Sequence, residues 1–140
     1  MAEAGEFERK RLGVGVIGAG RIGTHRARLA ALHPAVDYLA VADIDLDQAK
    51  KLGKATDAQV VTTDPNEVIS DKRVNVVVVS TPEHAHADAV AAAIEAGKSV
   101  LVEKPLALTI EDGDRLADLA EERGVDLRIG YSMRFLQRYF

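Results

Sequence analysis

Leu12-Gly13-Val14-Gly15-Val16-Ile17-Gly18-Ala19-Gly20-Arg21-Ile22-Gly23 is the stretch on which the fold turns. An apolar run of strand character leads straight into a G-x-G-x-x-G string, and the residues from Arg21 onward read as a helix. Twenty residues beyond Gly23 an acid, Asp43, stands at the end of the next apolar run. Strand, glycine turn, helix, strand and acid in that order form the setting a dinucleotide site requires. Gly18 permits the tight turn, Gly20 lets the backbone come close to a pyrophosphate, and Gly23 lets the helix pack near the strand. The helix N-terminus then offers free N–H groups and a partial positive charge to the phosphates. Asp43 is expected to accept hydrogen bonds from the adenosine ribose hydroxyls. Its charge repels a 2′-phosphate, so NAD is expected over NADP. The competing reading is a glycine-rich turn in some other βα unit.

Strand and helix alternate along the rest of the chain. Strands are expected at Leu12 to Ile17, Tyr38 to Ala42, Gln59 to Val61, Val74 to Val79, Ser99 to Val102 and Asp126 to Ile129. The first helix runs from Arg21 to about Leu32, stopped by Pro34. Asp45 is an N-cap with Gln48 at the capping-box position, and Gly53 is expected to end that helix. Asp64-Pro65-Asn66-Glu67 opens a short helix, with Pro at its first position. Five valines in the six positions from Val74 to Val79 leave no polar face, as expected of an interior strand. Thr81-Pro82 opens the next helix and Gly97 closes it; Thr109 and Asp112 cap the last, which ends at Gly124. The fold class is therefore α/β: a Rossmann doubly wound parallel sheet in the order 3-2-1-4-5-6, with right-handed crossovers. The ligand is expected across the carboxyl ends of strands one and four, where the winding reverses. Asp43, Ser80, Thr81, Glu103 and Lys104 all fall at such ends.

Composition narrows the class. The 140 residues suit one domain, and 47% apolar with only 4% aromatic content fits helices closely packed on a valine-rich sheet. A net charge of −4 gives no reason to expect nucleic acid as a partner. The absence of cysteine excludes disulfides, thiolate catalysis and cysteine-based zinc sites. No apolar stretch approaches the roughly 20 residues of a membrane span. Residues 1–11 read as a charged, frayed leader in which Glu3, Glu6 and Glu8 replace any apolar signal segment, so the expected location is cytoplasmic.

Three further segments follow the last three strands: Ser80-Thr81-Pro82-Glu83-His84-Ala85-His86, Glu103-Lys104-Pro105 and Gly130-Tyr131-Ser132-Met133-Arg134-Phe135. Together with the glycine loop and Asp43, they make residues 12–135 resemble the Gfo/Idh/MocA family of NAD(P)-dependent oxidoreductases, which includes inositol dehydrogenases. The E-K-P tripeptide after a T-P-x-H-x-H segment is the most specific part. Where the family often has Asn-Arg-Arg-Phe this chain has Ser132-Met133-Arg134-Phe135, which leaves a polar substrate contact there open. The resemblance implies that Gly18, Gly20 and Gly23 hold the pyrophosphate with help from Arg21 and Ile22, and that Asp43 binds ribose. It also implies that Ser80, Thr81 and His84 line the nicotinamide side and that Glu103 binds the nicotinamide ribose. Lys104 is implied as a catalytic or substrate-orienting residue, often ahead of a cis peptide at Pro105.

Chemistry gives a reason for that lysine. Oxidising a secondary alcohol sends hydride to the nicotinamide while the hydroxyl proton departs, and an ammonium near the oxygen stabilises developing alkoxide. The alternative is a snorkelling surface lysine. His84 and His86 point apart at the start of a helix and no third ligand is evident, so no metal is expected. His84 is expected to face the cofactor and His86 to be a solvated helix residue. The family's coenzyme domain is followed by a substrate domain carrying an acid–histidine pair, whereas His25, His33, His84 and His86 all lie in the coenzyme half here. The expectation is a coenzyme domain over 12–131, with 132–140 beginning the connection to a substrate domain that this chain lacks. The complete enzyme would act on a sugar- or cyclitol-type secondary alcohol. Other readings are a non-enzymatic NAD-binding or sensing module and the coenzyme domain of another dehydrogenase family. Met133, Phe135, Leu136, Tyr139 and Phe140 cluster apolar groups that are expected to promote self-association, hence a homo-oligomer.

Overall fold

Valine and alanine dictate how closely the layers approach. In the computed structural model, which describes residues 11–137, six parallel strands form one sheet in the order β3-β2-β1-β4-β5-β6. They are β1 Leu12–Ile17, β2 Val36–Ala42, β3 Val60–Thr62, β4 Val76–Val79, β5 Ser99–Val102 and β6 Leu127–Ile129. Five α-helices connect them within the same residues: α1 Arg21–Leu32, α2 Leu46–Thr56, α3 Pro65–Ser70, α4 His86–Glu95 and α5 Ile110–Arg123. Val14, Val16, Leu39, Val41 and Val78 pack beneath Ala27 of α1 and Ala49 and Leu52 of α2 on one face. Ile17, Ala40, Ala42, Val77 and Val79 meet Val68, Val90, Ile94 and Leu116 on the other. Burial on both faces explains why the central strands read as unbroken apolar runs. Each fully buried valine contributes roughly 2 kcal/mol.

Most element boundaries agree with the sequence reading, and the departures are instructive. Gly53 does not end α2: it lies inside that helix, where a Cβ would stand 2.3 Å from a Val61 methyl. It allows close packing of α2 on β3, and the helix stops instead at Asp57, whose backbone is left-handed (φ 51°). Thr81-Pro82 leads first into a 3₁₀ turn, Glu83–Ala85, and α4 begins only at His86. Val74 is buried ahead of β4 rather than within it, its carbonyl taken by Lys98 Nζ at 2.7 Å.

At the amino end of the sheet the Tyr38 hydroxyl donates to Asp71 at 2.6 Å, and Arg73 holds the same carboxylate through Nε and Nη2. Burial, then the bond to Asp71, raises the Tyr38 hydroxyl from 10.0 to about 12. The Arg73 guanidinium holds Asp71 well below the ordinary carboxylate range. This cluster joins β2 to the α3–β4 turn at the end of the sheet away from the glycine loop.

Candidate functional site

The carboxyl ends of the strands open into a cleft of about 1090 Å³. Its floor is the glycine loop. Gly18 has φ +97°, and a Cβ there would sit 2.6 Å from the Ser80 carbonyl oxygen, so both conformation and space demand glycine. A Cβ on Gly23 would fall 1.8 Å from the Gly18 carbonyl oxygen. That contact seats the first turn of α1 directly on the loop.

The helices differ in how their N-termini are finished. Asp45, Asp64 and Thr109 side chains cap α2, α3 and α5. Gly20 at the N-cap of α1 offers no side chain, and the first turn of α1 carries no acid. Its amides therefore remain available to an anion, beside the cationic Arg21. The 3₁₀ turn after Pro82 has no side-chain cap either, and it also borders the cleft.

Asp43 follows β2 and braces this floor. Its Oδ2 accepts from the Ala19 amide at 2.6 Å and its Oδ1 from the Asp45 amide at 2.8 Å. Both oxygens retain further acceptor capacity for ribose hydroxyls. Across the cleft, Ser80 Oγ and Thr81 Oγ1 are buried without a hydrogen-bond partner among the described residues. Buried hydroxyls ordinarily find partners. Two orphaned ones, bare helix amides and a carboxylate at the second strand are a donor and acceptor set that suits a dinucleotide.

Of the residues singled out from sequence, Gly18, Gly20, Arg21, Ile22, Asp43, Ser80, Thr81 and His84 line this cleft together. Gly23 lies behind the loop as a packing residue. Glu103 and Lys104 follow β5 outside the cleft lining, with Lys104 exposed and its peptide to Pro105 cis. Ile44 and Asp88, which no motif marks in the sequence, also line the cleft, as do Gln48 and Asn66, whose motifs mark only helix starts.

His86 is not solvated as expected; it is 1% exposed. Its Nδ1 lies 2.6 Å from the Pro105 carbonyl oxygen and its Nε2 2.9 Å from that of Thr81. The ring thus spans the loops after β4 and β5. Both partners are acceptors, so a neutral ring donates to one of them at a time. A signal for its burial is present: His86, Val90, Ala93 and Ile94 recur at helical spacing and are all buried. Arg26 is a second residue that sequence reasoning missed. Its Nε and Nη2 each approach Glu103 Oε1 at 2.7 Å, and no local pattern announces a pair 77 positions apart.

The described residues contain no helix long and apolar enough to cross a membrane. Tyr131, Met133, Phe135 and Leu136 are exposed, whereas Tyr139 and Phe140 of the apolar cluster, like residues 1–10 of the leader, lie outside the described residues.

The model of an oxidoreductase family with an NAD-binding Rossmann fold, GFO_IDH_MocA, matches residues 12–131. Myo-inositol 2-dehydrogenase from Thermotoga maritima is 35% identical over 123 residues, which is 87% of this chain and 36% of that protein. Inositol 2-dehydrogenase 3 from Saccharopolyspora erythraea is 39% identical over 124 residues, again 87% of this chain and 36% of the relative. Among solved structures, GenD2 from gentamicin A biosynthesis, in complex with NAD, superposes with a TM-score of 0.83 at 39% identity. That match covers 93% of this chain and 37% of GenD2. The chain thus spans little more than a third of the length of these proteins.

Proposed function

This chain belongs to the GFO_IDH_MocA oxidoreductase family, and from that premise we propose that it is the coenzyme domain of an NAD-dependent dehydrogenase acting on a secondary alcohol of a cyclitol or sugar. The observation that carries the reading is the cleft itself: bare α1 amides, a carboxylate after β2 and two orphaned hydroxyls after β4 around one cavity. The inositol dehydrogenases among its relatives support the substrate class.

When bound, NAD supplies the hydride acceptor. The amides around Gly18, Gly20, Arg21, Ile22 and Gly23 bind its pyrophosphate. Asp43 orients the adenosine ribose, and its charge disfavours a 2′-phosphate there. Ser80 and Thr81 donate from their buried hydroxyls, with His84 at the rim. Glu103 serves the second ribose. Lys104, free of any ion pair among the described residues, holds its ammonium where it stabilises negative charge developing on the alcohol oxygen. We assign residues 12–131 to this domain and the segment from 132 to the path toward a substrate domain in the complete protein. A cytoplasmic location is in keeping with that chemistry. Self-association through exposed Met133, Phe135 and Leu136 supports a homo-oligomer, to be tested by sedimentation at several concentrations.

Calorimetric titration of the chain with NAD, NADP and ADP tests the reading. Saturable NAD binding, tighter than NADP, is expected; absence of binding by all three overturns it, and a preference for NADP overturns the role given to Asp43.

A further inference from the structure

We infer that Arg26 is a positioning residue, setting affinity for the non-adenosine half of the dinucleotide by holding Glu103 in place. The inference rests on the coenzyme reading above and extends it to a residue one turn further along the glycine-loop helix.

Arg26 lies one turn beyond Gly23 on α1, the helix whose N-terminus faces the pyrophosphate position. Glu103 follows β5, its amide bonded to the Val79 carbonyl at 2.9 Å. The pair is mostly shielded, with side-chain exposures of 26% and 17%. Each of the other four ion pairs among the described residues has a side chain at least half exposed. Gly130, just past β6, completes the pocket: a Cβ there would stand 3.0 Å from Arg26 Nη2 and 3.1 Å from Glu103 Oε1. Helix α1, the end of β5 and the end of β6 therefore converge on one carboxylate.

The way that carboxylate is held matters. Nε donates to Oε1 and Nη2 lies 2.7 Å from the same oxygen, while Oε2 accepts no hydrogen bond from any described residue. A fixed carboxylate with one open oxygen is an acceptor for a hydroxyl. In a doubly wound sheet the two mononucleotides lie on opposite sides of the reversal point, so the second ribose lies over the half formed by β4, β5 and β6. Glu103 stands at the carboxyl end of that half. If Arg26 acted only as a staple between helix and sheet, losing it would cost stability without distinguishing one nucleotide from another.

The experiment is a ligand ladder on the full chain: ADP, ADP-ribose, which adds the second ribose, and NAD. Arg26→Met is expected to weaken ADP-ribose and NAD about tenfold, the scale of a lost charge-assisted hydrogen bond, while ADP changes by less than about twofold. Arg26→Lys is expected to retain part of the affinity, since one ammonium supplies the charge but not the fork. Arg26→Met combined with Glu103→Gln is expected to be no worse than Glu103→Gln alone. Thermal unfolding without ligand identifies a variant that has lost its fold, in which case the Arg26→Lys ladder decides. Equal loss for ADP and NAD in the Arg26 variants overturns this inference alone. So does equal affinity of the unaltered chain for ADP and ADP-ribose. Binding of none of the three by the unaltered chain overturns the coenzyme reading as well.

Discussion

The two halves of the sheet meet the cleft by different means. From β3 to β1 the cleft is walled by main chain: the Gly18–Gly23 loop, the uncapped amides of α1, and Asp43 bonded to the Ala19 and Asp45 amides. From β4 to β6 it is flanked by groups that side chains from elsewhere hold in place. Arg26 grips Glu103, and His86 ties the Thr81 loop to the Pro105 loop. Backbone placed by local geometry needs few partners. Side chains need packing around them to stay where they are useful, and that packing comes from distant parts of the chain.

Four experiments probe this contrast, beginning with the largest expected effect. Gly23→Ala drives a methyl group into the Gly18 carbonyl, a backbone atom that cannot swing aside, and is expected to cost about 3 kcal/mol or more in denaturant unfolding. Near-normal stability would mean that the main-chain half is more forgiving than described. His86→Ala strips the ring from between two loops and leaves a buried cavity; a loss of about 2 kcal/mol is expected in the same assay. Asp43→Ala is expected to weaken both ADP and NAD by about 1–2 kcal/mol in calorimetry. Weakening of NAD with ADP unchanged would move Asp43 from the adenosine half to the other.

The smallest effect concerns the opposite end of the sheet. The Asp71 carboxyl is held low by Arg73, so its contribution to stability is present above about pH 4, where the unfolded acid has ionised, and is lost as pH falls toward its folded value. The Tyr38 hydroxyl is held up at about 12, so its contribution is present below 10.0 and is lost as pH rises through that window. Melting curves across pH are expected to lose stability on both flanks. Tyr38→Phe is expected to flatten the alkaline flank, and an unchanged flank would assign it to other groups.

How much of this was legible before folding follows the same division. The succession of strands and helices, the glycine loop, the caps at Asp45, Asp64 and Thr109, and the position of Asp43 depend on neighbours a few residues apart, and local patterns carry them. Gly53 shows the limit: a glycine that stops a helix and one that lets a helix approach a strand look alike in sequence, and only the contact with Val61 separates them. His86 is polar and so looks solvated in the sequence, whereas its register with Val90 and Ile94 puts it on the buried face of α4.

By itself the sequence determined an α/β sheet wound from a reversal point, with a phosphate-binding loop after the first strand. Apolar period, glycine spacing and capping chemistry act over short stretches and need no tertiary context. Only the tertiary structure decided that Arg26 meets Glu103, that His86 is buried between two carbonyls, and that Ser80 and Thr81 have hydroxyls without partners among the described residues. Each of these is a matter of which distant group fills a given space, and one-dimensional spacing holds no information about that until the sheet has closed around it.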